Sequence, residues 1–463
     1  MTEEKSQAEG AGGNHEARVE ALQELCYQLV FLEDFRALRR VLNDTRPADL
    51  ADVMRRLDDE IREKVFDLLE ESLAADVLAE SDTPTALAII EDLDDQEVSD
   101  LVEEMAPDDA ADVLSDLEEE DAEKILDLME NSEAQEVQEL MAHEEDTGGG
   151  IMTPELVLAD ESSTVSEVID VLRKDAEDSE IYNLFVISAD ERLVGIVPLH
   201  RLVTARPGAQ ITDLMDRDVI SVTTDTDQEE IAGLFKRYDL VTAPVVDDEG
   251  KVVGQITVDD VIDVIVDEAT EDIYKMAGTS DNEIEHPSVL GVAWARLPWL
   301  MLCLIGSFMS GIVIHLHNVT LEKLITLAAF IPVIMATGGN SGLQASTVTV
   351  RSLVTKQVSS GLILRTVLRE MGTAAVIGIA CGLAASAVAW FWFGETLVGL
   401  CVGISMFLVI CLAVFMGVVA PLLFNKVGID PAIASGPFIT TANDILGLGI
   451  YLGLAAFLIE RFM

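Results

Sequence analysis

Two different patterns of apolar and polar residues divide this sequence near residue 286. Beyond that point come five long, uncharged and mostly apolar runs. A helix needs about 20 such residues to cross a bilayer, so each run predicts a transmembrane helix. The runs are 297–321, 324–350, 371–394, 396–425 and 431–459, and Asp444 interrupts the last one.

A shorter repeat fills the first part of the chain. Stretches such as "ADLADVMRRL", "DDAADVLSDL" and "DAEKILDLM" place apolar residues three and four positions apart, with acidic residues between them. This spacing predicts short amphipathic helices, and its repetition predicts a superhelical stack. We expect an acidic α-helical N-domain over 1–148, disordered for roughly the first 15 residues. The stretch "TGGG" at 147–150 marks its end.

An internal duplication follows. Each copy reads strand, helix, strand, turn, strand, helix, and "VVDDEGKVVG" has turn residues between β-branched runs, as in a hairpin. We expect an α/β pair of repeats over 149–205 and 206–266. The stretch "VDDVIDVIVDEATEDIYKMAG" then has an apolar stripe at helical spacing, with Gly278 as its stop. It predicts a connecting amphipathic helix within 267–288, ahead of a five-helix transmembrane domain over 289–463.

Charge follows the same division. The sequence has 84 Asp and Glu residues against 29 Lys and Arg residues, for a formal net charge of −55. Most of the acidic residues precede residue 287, so we expect the first part in water and the second in lipid. The six later acidic residues are Glu322, Glu370, Glu395, Asp430, Asp444 and Glu460.

The basic residues near the apolar runs predict an orientation. The side shared with the N-terminus has the larger number, and the other side has Lys323 and Arg461. By the positive-inside rule, the acidic domains lie in the cytoplasm and the C-terminus lies outside. The start "MTEEKSQAEG" lacks a signal-peptide pattern, so we expect a multi-pass protein of the inner (plasma) membrane. The larger set is Arg296, Arg351, Lys356, Arg365, Arg369 and Lys426.

Asp444 is the main candidate for chemistry. A charge at the centre of a bilayer costs about 2.5–3.5 kcal/mol on insertion scales, and such residues usually face a hydrated path. Pro437 cannot donate a hydrogen bond, so we expect a free carbonyl near Ile433. Thr440 and Thr441 share the Asp444 face, and together these oxygens suit a hard cation. The alternative is a protonated structural acid.

A second polar segment, "ATGGNSGLQAS", lies in the run 324–350 and includes Asn340. It either lines the same hydrated path or lets helices pack closely through small residues. The five cysteines have neither disulfide nor zinc spacing, as expected for a reducing compartment. No P-loop, HExxH, CxxC or nucleophile elbow occurs, so we expect no enzyme.

These motifs resemble the MgtE family of magnesium channels, often called transporters. The resemblance covers nearly the whole chain and is carried by "EEDTGGGIMTPE", "VDDVIDV", "EATEDI", "ATGGNSGLQAS" and "DPAIASGPFITTANDILGL". The repeats resemble a tandem pair of CBS domains. The resemblance implies a homodimer in lipid with its pore between the subunits, no nucleic-acid partner, and Asp444 as the pore carboxylate for hydrated Mg²⁺. In the sequence alone, Asp444, Thr440, Thr441 and Asn340 are the pore candidates.

The resemblance also implies gating. Intracellular Mg²⁺ would bind among acidic cytoplasmic residues and close the channel. Carboxylates about 5 Å apart repel by roughly 3 kcal/mol at an effective dielectric constant of about 20, and a divalent ion between them would reverse that repulsion. The alternative is that most of these acids only solvate the surface. The implied regulatory residues are Asp76, Asp108, Asp112, Asp239, Asp260, Asp263, Glu268, Glu271, Asp272 and Asp430.

Other readings stay open. Some relatives bind ATP at the CBS pair, and Thr257, His200 and Arg201 are candidate nucleotide contacts. In the first repeat, however, Pro198 and Arg201 occupy the positions where nucleotide-binding repeats tend to have Ser or Thr and then Asp, which counts against ATP. The CBS pair is alternatively only a dimerisation scaffold. Mn²⁺ or Co²⁺ also accept oxygen ligands, and a cation exporter is a further alternative. A purely structural membrane sensor would not need Asp444.

Overall fold

The computed structural model describes residues 2–175, 181–279, 289–354, 360–434 and 436–462. Lys356 and the segment 280–288 of the predicted connecting region therefore lie outside the described residues. The chain divides into two compact units, Met1–Val266 and Asp267–Met463. Each unit is built around its own buried apolar side chains.

Short helices make up the first half of the Met1–Val266 unit, as predicted. Several begin at local signals: Pro47 and Pro107 occupy the first turns of their helices, and Asp94 forms a capping box with Glu97. Their buried apolar side chains form two clusters, and the second of these includes residues of the second repeat. The helices are α1 (Thr2–Phe31), α2 (Phe35–Asn43), α3 (Pro47–Met54), α4 (Asp59–Phe66), α5 (Glu71–Ala79), α6 (Thr83–Ile90), α7 (Asp95–Glu103), α8 (Pro107–Ser115), α9 (Glu119–Leu128) and α10 (Asn131–Leu140).

The start of the chain differs from the expectation of disorder. Helix α1 already begins at Thr2. Its later part is held by buried Val19, Cys26 and Val30. Once such a segment has formed, each residue added toward the N-terminus gains a hydrogen bond without a new nucleation cost.

Two three-stranded sheets follow, one from each predicted repeat. In each sheet the first two strands are parallel and the last two form an antiparallel hairpin. Gly250, with φ of +81°, supplies the left-handed residue of the second hairpin turn. The elements are β1 (Leu158–Asp160), α11 (Val165–Asp175), β2 (Asn183–Ile187), β3 (Leu193–Pro198), α12 (Leu199–Thr204), β4 (Val222–Thr223), α13 (Gln228–Tyr238), β5 (Thr242–Val246) and β6 (Val252–Thr257).

Helix α14 (Val258–Ala277) leaves the second sheet and continues into the Asp267–Met463 unit. It ends where the sequence predicts, because Gly278 has φ of +79°, a conformation that suits glycine after a helix. The predicted connecting helix is therefore the second half of a longer helix that starts inside the second repeat.

Among its described residues, the second unit has five helices that are long and apolar enough to cross a membrane. The helices of this unit are α15 (Val289–Leu316), α16 (Asn318–Lys323), α17 (Ile331–Val354), α18 (Ser360–Phe393), α19 (Thr396–Lys426) and α20 (Gly436–Phe462). The short helix α16 and a 3₁₀ turn (Ile325–Phe330) precede α17. Helix α19 is central and packs against α17, α18 and α20, while α15 packs against α20.

The helix bounds differ most from the apolar runs at the starts of three helices. Helix α15 begins eight residues before Leu297 and α18 begins eleven before Met371, because Arg296 and Glu370 bound the uncharged runs without ending the helices. Helix α17 begins later than its run, with Pro332 in its first turn, where a missing N–H is tolerated. The fold class expected from the sequence is otherwise confirmed.

Candidate functional site

Asp444 lies on α20, the helix of the span Pro431–Arg461. One prediction about its surroundings is corrected. Because α20 begins at Gly436, Pro437 falls in the first turn and leaves no gap in a helix interior. Ile433 belongs to the separate 3₁₀ turn Pro431–Ala434, so a carbonyl freed by Pro437 is not the feature that distinguishes this site.

Gly436 lets two helices approach each other closely. A Cβ atom built there would collide with the carbonyl oxygen of Met276, in the last turn of α14. A Cβ built at Gly278 would lie 2.5 Å from Pro437 Cγ. The absence of side chains at these two glycines therefore lets the end of α14 contact the start of the helix that carries Asp444.

Thr440 and Thr441 lie one turn before Asp444, but their side chains have different surroundings. The Thr440 hydroxyl donates hydrogen bonds to the carbonyls of Gly436 and Pro437, at 3.1 and 3.2 Å. The Thr441 methyl group packs on Gly306 of α15, where a Cβ atom would collide with it. Asp444 is half-buried, so its carboxylate keeps access to the surface of the single chain.

The polar segment of α17 serves close packing at its glycines. Cβ atoms built at Gly338 and Gly342 would lie within about 3 Å of atoms of α19 and α20. This supports the small-residue packing alternative for those two positions. Asn340 is exposed on the same helix, and among the described residues no hydrogen bond joins it to Asp444.

An acidic cluster in the first unit joins α5, α8 and α14. Its members act on one another electrostatically: Asp109 with Glu80 and Asp260, Asp112 with Asp108 and Asp260, and Glu80 with Asp263. Four of the predicted regulatory residues, Asp108, Asp112, Asp260 and Asp263, therefore belong to it. We call Glu80, Asp108, Asp109, Asp112, Asp260 and Asp263 the α8–α14 cluster.

Carboxyl groups of this cluster have pKa values above their usual range. Burial among the surrounding helices and then the charges of Asp108, Asp116 and Glu145 raise the pKa of Asp112 to about 7, although part of its side chain stays open to solvent. Burial raises the pKa of Asp260 to about 6, while a hydrogen bond of 2.6 Å from the Thr257 hydroxyl opposes the rise. These carboxylates lack a compensating cation, because no ion pair of the described residues involves them.

Asp108 provides the test of whether this cluster suits a metal ion. Its Oδ1 atom is buried without a hydrogen-bond partner among the described residues. A buried unpaired oxygen beside further carboxylates is the donor set that Mg²⁺ binds, and a divalent ion would satisfy it. Among the described residues, however, no three His, Cys, Asp or Glu side chains already have metal-holding geometry.

A second group lies in the other unit. Lys275 Nζ contacts Glu271 Oε1 at 2.5 Å and Asp430 Oδ2 at 2.9 Å. Burial, and next the charge of Asp430, raise the pKa of Asp272. Burial lowers the pKa of Lys275, but the hydrogen bonds to Glu271 and Asp430 raise it overall. Three predicted regulatory acids therefore meet around a lysine, which we call the Lys275 cluster.

The remaining predicted regulatory residues are Asp239, which is separate from both clusters, and Asp76 and Glu268, which lie near them. Asp239 caps the C-terminus of α13 with left-handed φ and ψ of 52° and 45°, and it is not among the groups acting on the α8–α14 cluster. Asp76 acts on Glu80, and Glu268 lies one helical turn before Glu271 on α14.

Three residues of these clusters were not predicted from the sequence: Glu80, Asp109 and Lys275. The four-residue spacing from Asp76 to Glu80 was a usable signal, since it places both on one helix face. Asp109 adjoins a predicted ligand in "PDDAAD". The pairing of Lys275 with Asp430 had no signal, because 155 residues separate them.

The nucleotide candidates are partly engaged with other groups. Arg201 Nη1 donates to the Leu214 carbonyl at 3.2 Å, and the Thr257 hydroxyl donates to Asp260. His200 is exposed on α12.

Comparison with known proteins identifies the family. The MgtE family, described as a divalent cation transporter, matches residues 331–454, its intracellular N domain matches 45–146, and CBS domains match 149–208 and 211–267. The magnesium transporter MgtE of Thermus thermophilus is 38% identical over 321 residues, 69% of this chain and 71% of that relative. This chain belongs to the MgtE family.

Other MgtE relatives agree. The magnesium transporter MgtE of Bacillus subtilis is 37% identical over 311 residues, 67% of this chain and 69% of that relative. A solved structure of the cytosolic domain of the Mg²⁺ channel MgtE in complex with ATP is 38% identical, with a TM-score of 0.50. It covers 51% of this chain and 98% of that one. The family is one of membrane transporters, and the five apolar helices make this chain a multi-pass membrane protein.

Proposed function

We propose that this MgtE-family protein carries Mg²⁺ across the membrane along a path that passes Asp444. The observation that carries the proposal is a carboxylate well inside the span Pro431–Arg461, half-buried and without an ion-pair partner among the described residues. Glu370, an acid in the span Leu364–Phe393, pairs with Arg369 at 3.0 Å. An unpaired intramembrane carboxylate is a functional candidate by default.

Mg²⁺ is the proposed cargo because relatives covering two thirds of this chain are magnesium transporters. The chemistry agrees, since Mg²⁺ loses its water reluctantly and is bound through one or two carboxylates that hold its hydration shell. Mn²⁺, Co²⁺ and an export direction remain the alternatives.

We further propose a homodimer with the path between the subunits. Helix α15 buries few of its residues in the single chain, and Asp444 is only half-buried there. A second copy would bring two such carboxylates together. The positive-inside rule favours cytoplasmic N-terminal domains and an outer C-terminus, in the plasma membrane.

Regulation by intracellular Mg²⁺ is the second part of the proposal. The α8–α14 cluster and the Lys275 cluster, each within its own unit, would hold the ions, and Asp76, Asp239 and Glu268 are further candidates. The raised pKa values and the unpaired Asp108 oxygen support a cation requirement. Bound Mg²⁺ would supply positive charge there, while the carboxylates of this chain hold the ion and bring their helices together.

A nucleotide role is the weaker proposal. The cytosolic domain of one relative was solved with ATP. In this chain Arg201 and Thr257 already donate to protein oxygens, and His200 is left as the candidate phosphate contact. Calorimetric titration of the purified protein with ATP, with and without Mg²⁺, tests it; a His200→Ala variant that binds ATP as the parent does would remove the assignment.

The pore assignment is tested by Mg²⁺ flux into proteoliposomes, with the ion varied separately on each side. Asp444→Asn keeps the shape of the side chain but removes its charge, so we expect normal folding and a fall in flux of about 100-fold or more. Glu322→Gln, on the short helix α16, is the matched control and should behave as the parent. Parent-like flux in Asp444→Asn would exclude Asp444 as the ion site.

A further inference from the structure

Asn443, the residue before Asp444, is buried in an unusual way for a polar side chain. Its exposed fraction is 0%, and its Oδ1 atom has no hydrogen-bond partner among the described residues. Its Nδ2 atom donates to the backbone carbonyl of Met335, on α17, at 3.3 Å. An apolar side chain of the same size would avoid the unpaired oxygen, so stability alone does not account for the amide.

The space around Asn443 is formed by glycines. A Cβ atom built at Gly338 would lie 2.8 Å from Asn443 Oδ1 and 3.0 Å from its Nδ2. One built at Gly447, a turn later on α20, would lie 3.4 Å from Oδ1. Both glycines also face Val409 of α19. The amide therefore occupies a pocket that exists only because Gly338 of α17 and Gly447 of α20 have no side chains.

This pocket determines the direction of the next side chain, that of Asp444. Successive residues of an α-helix are about 100° apart, so fixing Asn443 between α17 and α19 turns Asp444 away from that packed interface. The single hydrogen bond to Met335 also resists rotation of α20, because rotation would break it without offering another partner.

We propose that Asn443 is a positioning residue that sets the direction of the Asp444 carboxylate through its hydrogen bond to Met335 and its packing against Gly338. This inference rests on the proposed function, since it assumes that Asp444 meets the ion. It adds a residue that does not touch the ion and whose effect passes through Asp444.

The test compares Asn443→Leu with the parent in proteoliposomes, measuring both maximal Mg²⁺ flux and the half-saturating Mg²⁺ concentration. Leucine keeps the volume but not the donor. Thermal unfolding should occur at the parent temperature or above it, because the unpaired oxygen is gone. The half-saturating concentration should rise about 10-fold or more, as for other residues that orient an ion ligand.

Ser405→Ala is the matched control. Ser405 lies on α19, is fully buried, and has a hydroxyl without a hydrogen-bond partner among the described residues, so its removal should leave both flux parameters unchanged. If Asn443→Leu does not fold, Asn443→Ala replaces it, since it leaves space rather than adding bulk. A parent-like half-saturating concentration in the folded variant, or a change that merely follows its stability, overturns the inference.

Asp444→Asn, measured alongside, separates the two proposals. If that variant transports as the parent does, the proposed ion site fails and the inference with it. If it abolishes transport while the folded Asn443 variant behaves as the parent, only the positioning role fails.

Discussion

Single acidic residues in this protein differ in kind although they look alike in the sequence. Asp239 caps a helix and Asp94 caps another, whereas Asp112 and Asp260 lie in a cluster whose members repel one another. Burial first, and then the charges of neighbouring carboxylates, raise the pKa of Asp112 to about 7 and that of Asp260 to about 6. The cluster is therefore under a strain that solvated surface acids do not have.

Stability should depend on pH through this cluster. A carboxyl group whose pKa is raised in the folded state holds more protons there than in the unfolded chain, so stability falls as pH rises from about 4 through 7. With EDTA we expect the unfolding temperature of the whole protein to drop between pH 5 and pH 8. A loss of about 1 kcal/mol corresponds to roughly 2–4 °C in a unit of this size.

Millimolar Mg²⁺ should reduce the drop, and Asp112→Asn should reduce it without Mg²⁺. Asp239→Asn removes an acid outside the cluster and should leave the pH profile unchanged. A flat parent profile in EDTA would show that folding does not raise the pKa values of this cluster.

Helices α14 and α20 depend on each other at their ends. The Met276 carbonyl fits against Gly436, Pro437 fits against Gly278, and Lys275 pairs with Asp430 just before α20. These contacts all lie within the Asp267–Met463 unit. They connect the end of the acidic helix to the first turn of the helix that carries Asp444.

Gly436→Ala should disturb that connection. The added methyl group would collide with the Met276 carbonyl, and overpacking of this kind typically costs about 1–3 kcal/mol. We expect a lower unfolding temperature in detergent. Gly449→Ala, on the same helix but with open space at its Cβ, should be neutral or stabilising because alanine favours helix. Equal unfolding temperatures for both variants would contradict the close approach.

Across the whole molecule, the uneven charge makes the cytoplasmic acids a candidate sensor. A net charge of −55 disfavours close approach of helices until cations are bound. The described clusters differ in this respect, since Lys275 already supplies a positive charge to Glu271 and Asp430, whereas the α8–α14 cluster has no paired cation among the described residues. The α8–α14 cluster should therefore respond more strongly to Mg²⁺.

Limited proteolysis after Gly278 measures this response. Cleavage of the parent should slow as Mg²⁺ rises into the millimolar range, because bound ions hold the acidic helices together. Neutralising Asp263, Glu271 and Asp272 together should make cleavage independent of Mg²⁺ while Asp444 still passes ions.

A triple variant of surface acids outside both clusters, Glu118→Gln with Glu119→Gln and Glu123→Gln, changes the net charge equally and should retain the parent response. Identical cleavage of the parent in Mg²⁺ and in EDTA would show that the acidic residues only solvate the surface, and it would contradict the regulatory proposal.

The sequence by itself determined the order of elements and the candidate ion site. Period and length are local properties, so the short helices, the two repeats and the five apolar spans could all be predicted from neighbouring residues. Asp444 stood out because one charge in an apolar run is costly wherever that run packs. The family motifs added the regulatory residues, and most of these occupy one of two clusters in the structure.

Only the tertiary structure decided which residues act together. Asp108 meets Asp260, and Lys275 meets Asp430, across more than 150 residues of chain. It also assigned Gly338 and Gly342 to packing, put Pro437 in a first turn and buried the Asn443 amide. The physical reason is that periodicity shows which face of a helix is buried but not against which partner, and pairing, close approach and crowding of charge are properties of two elements together.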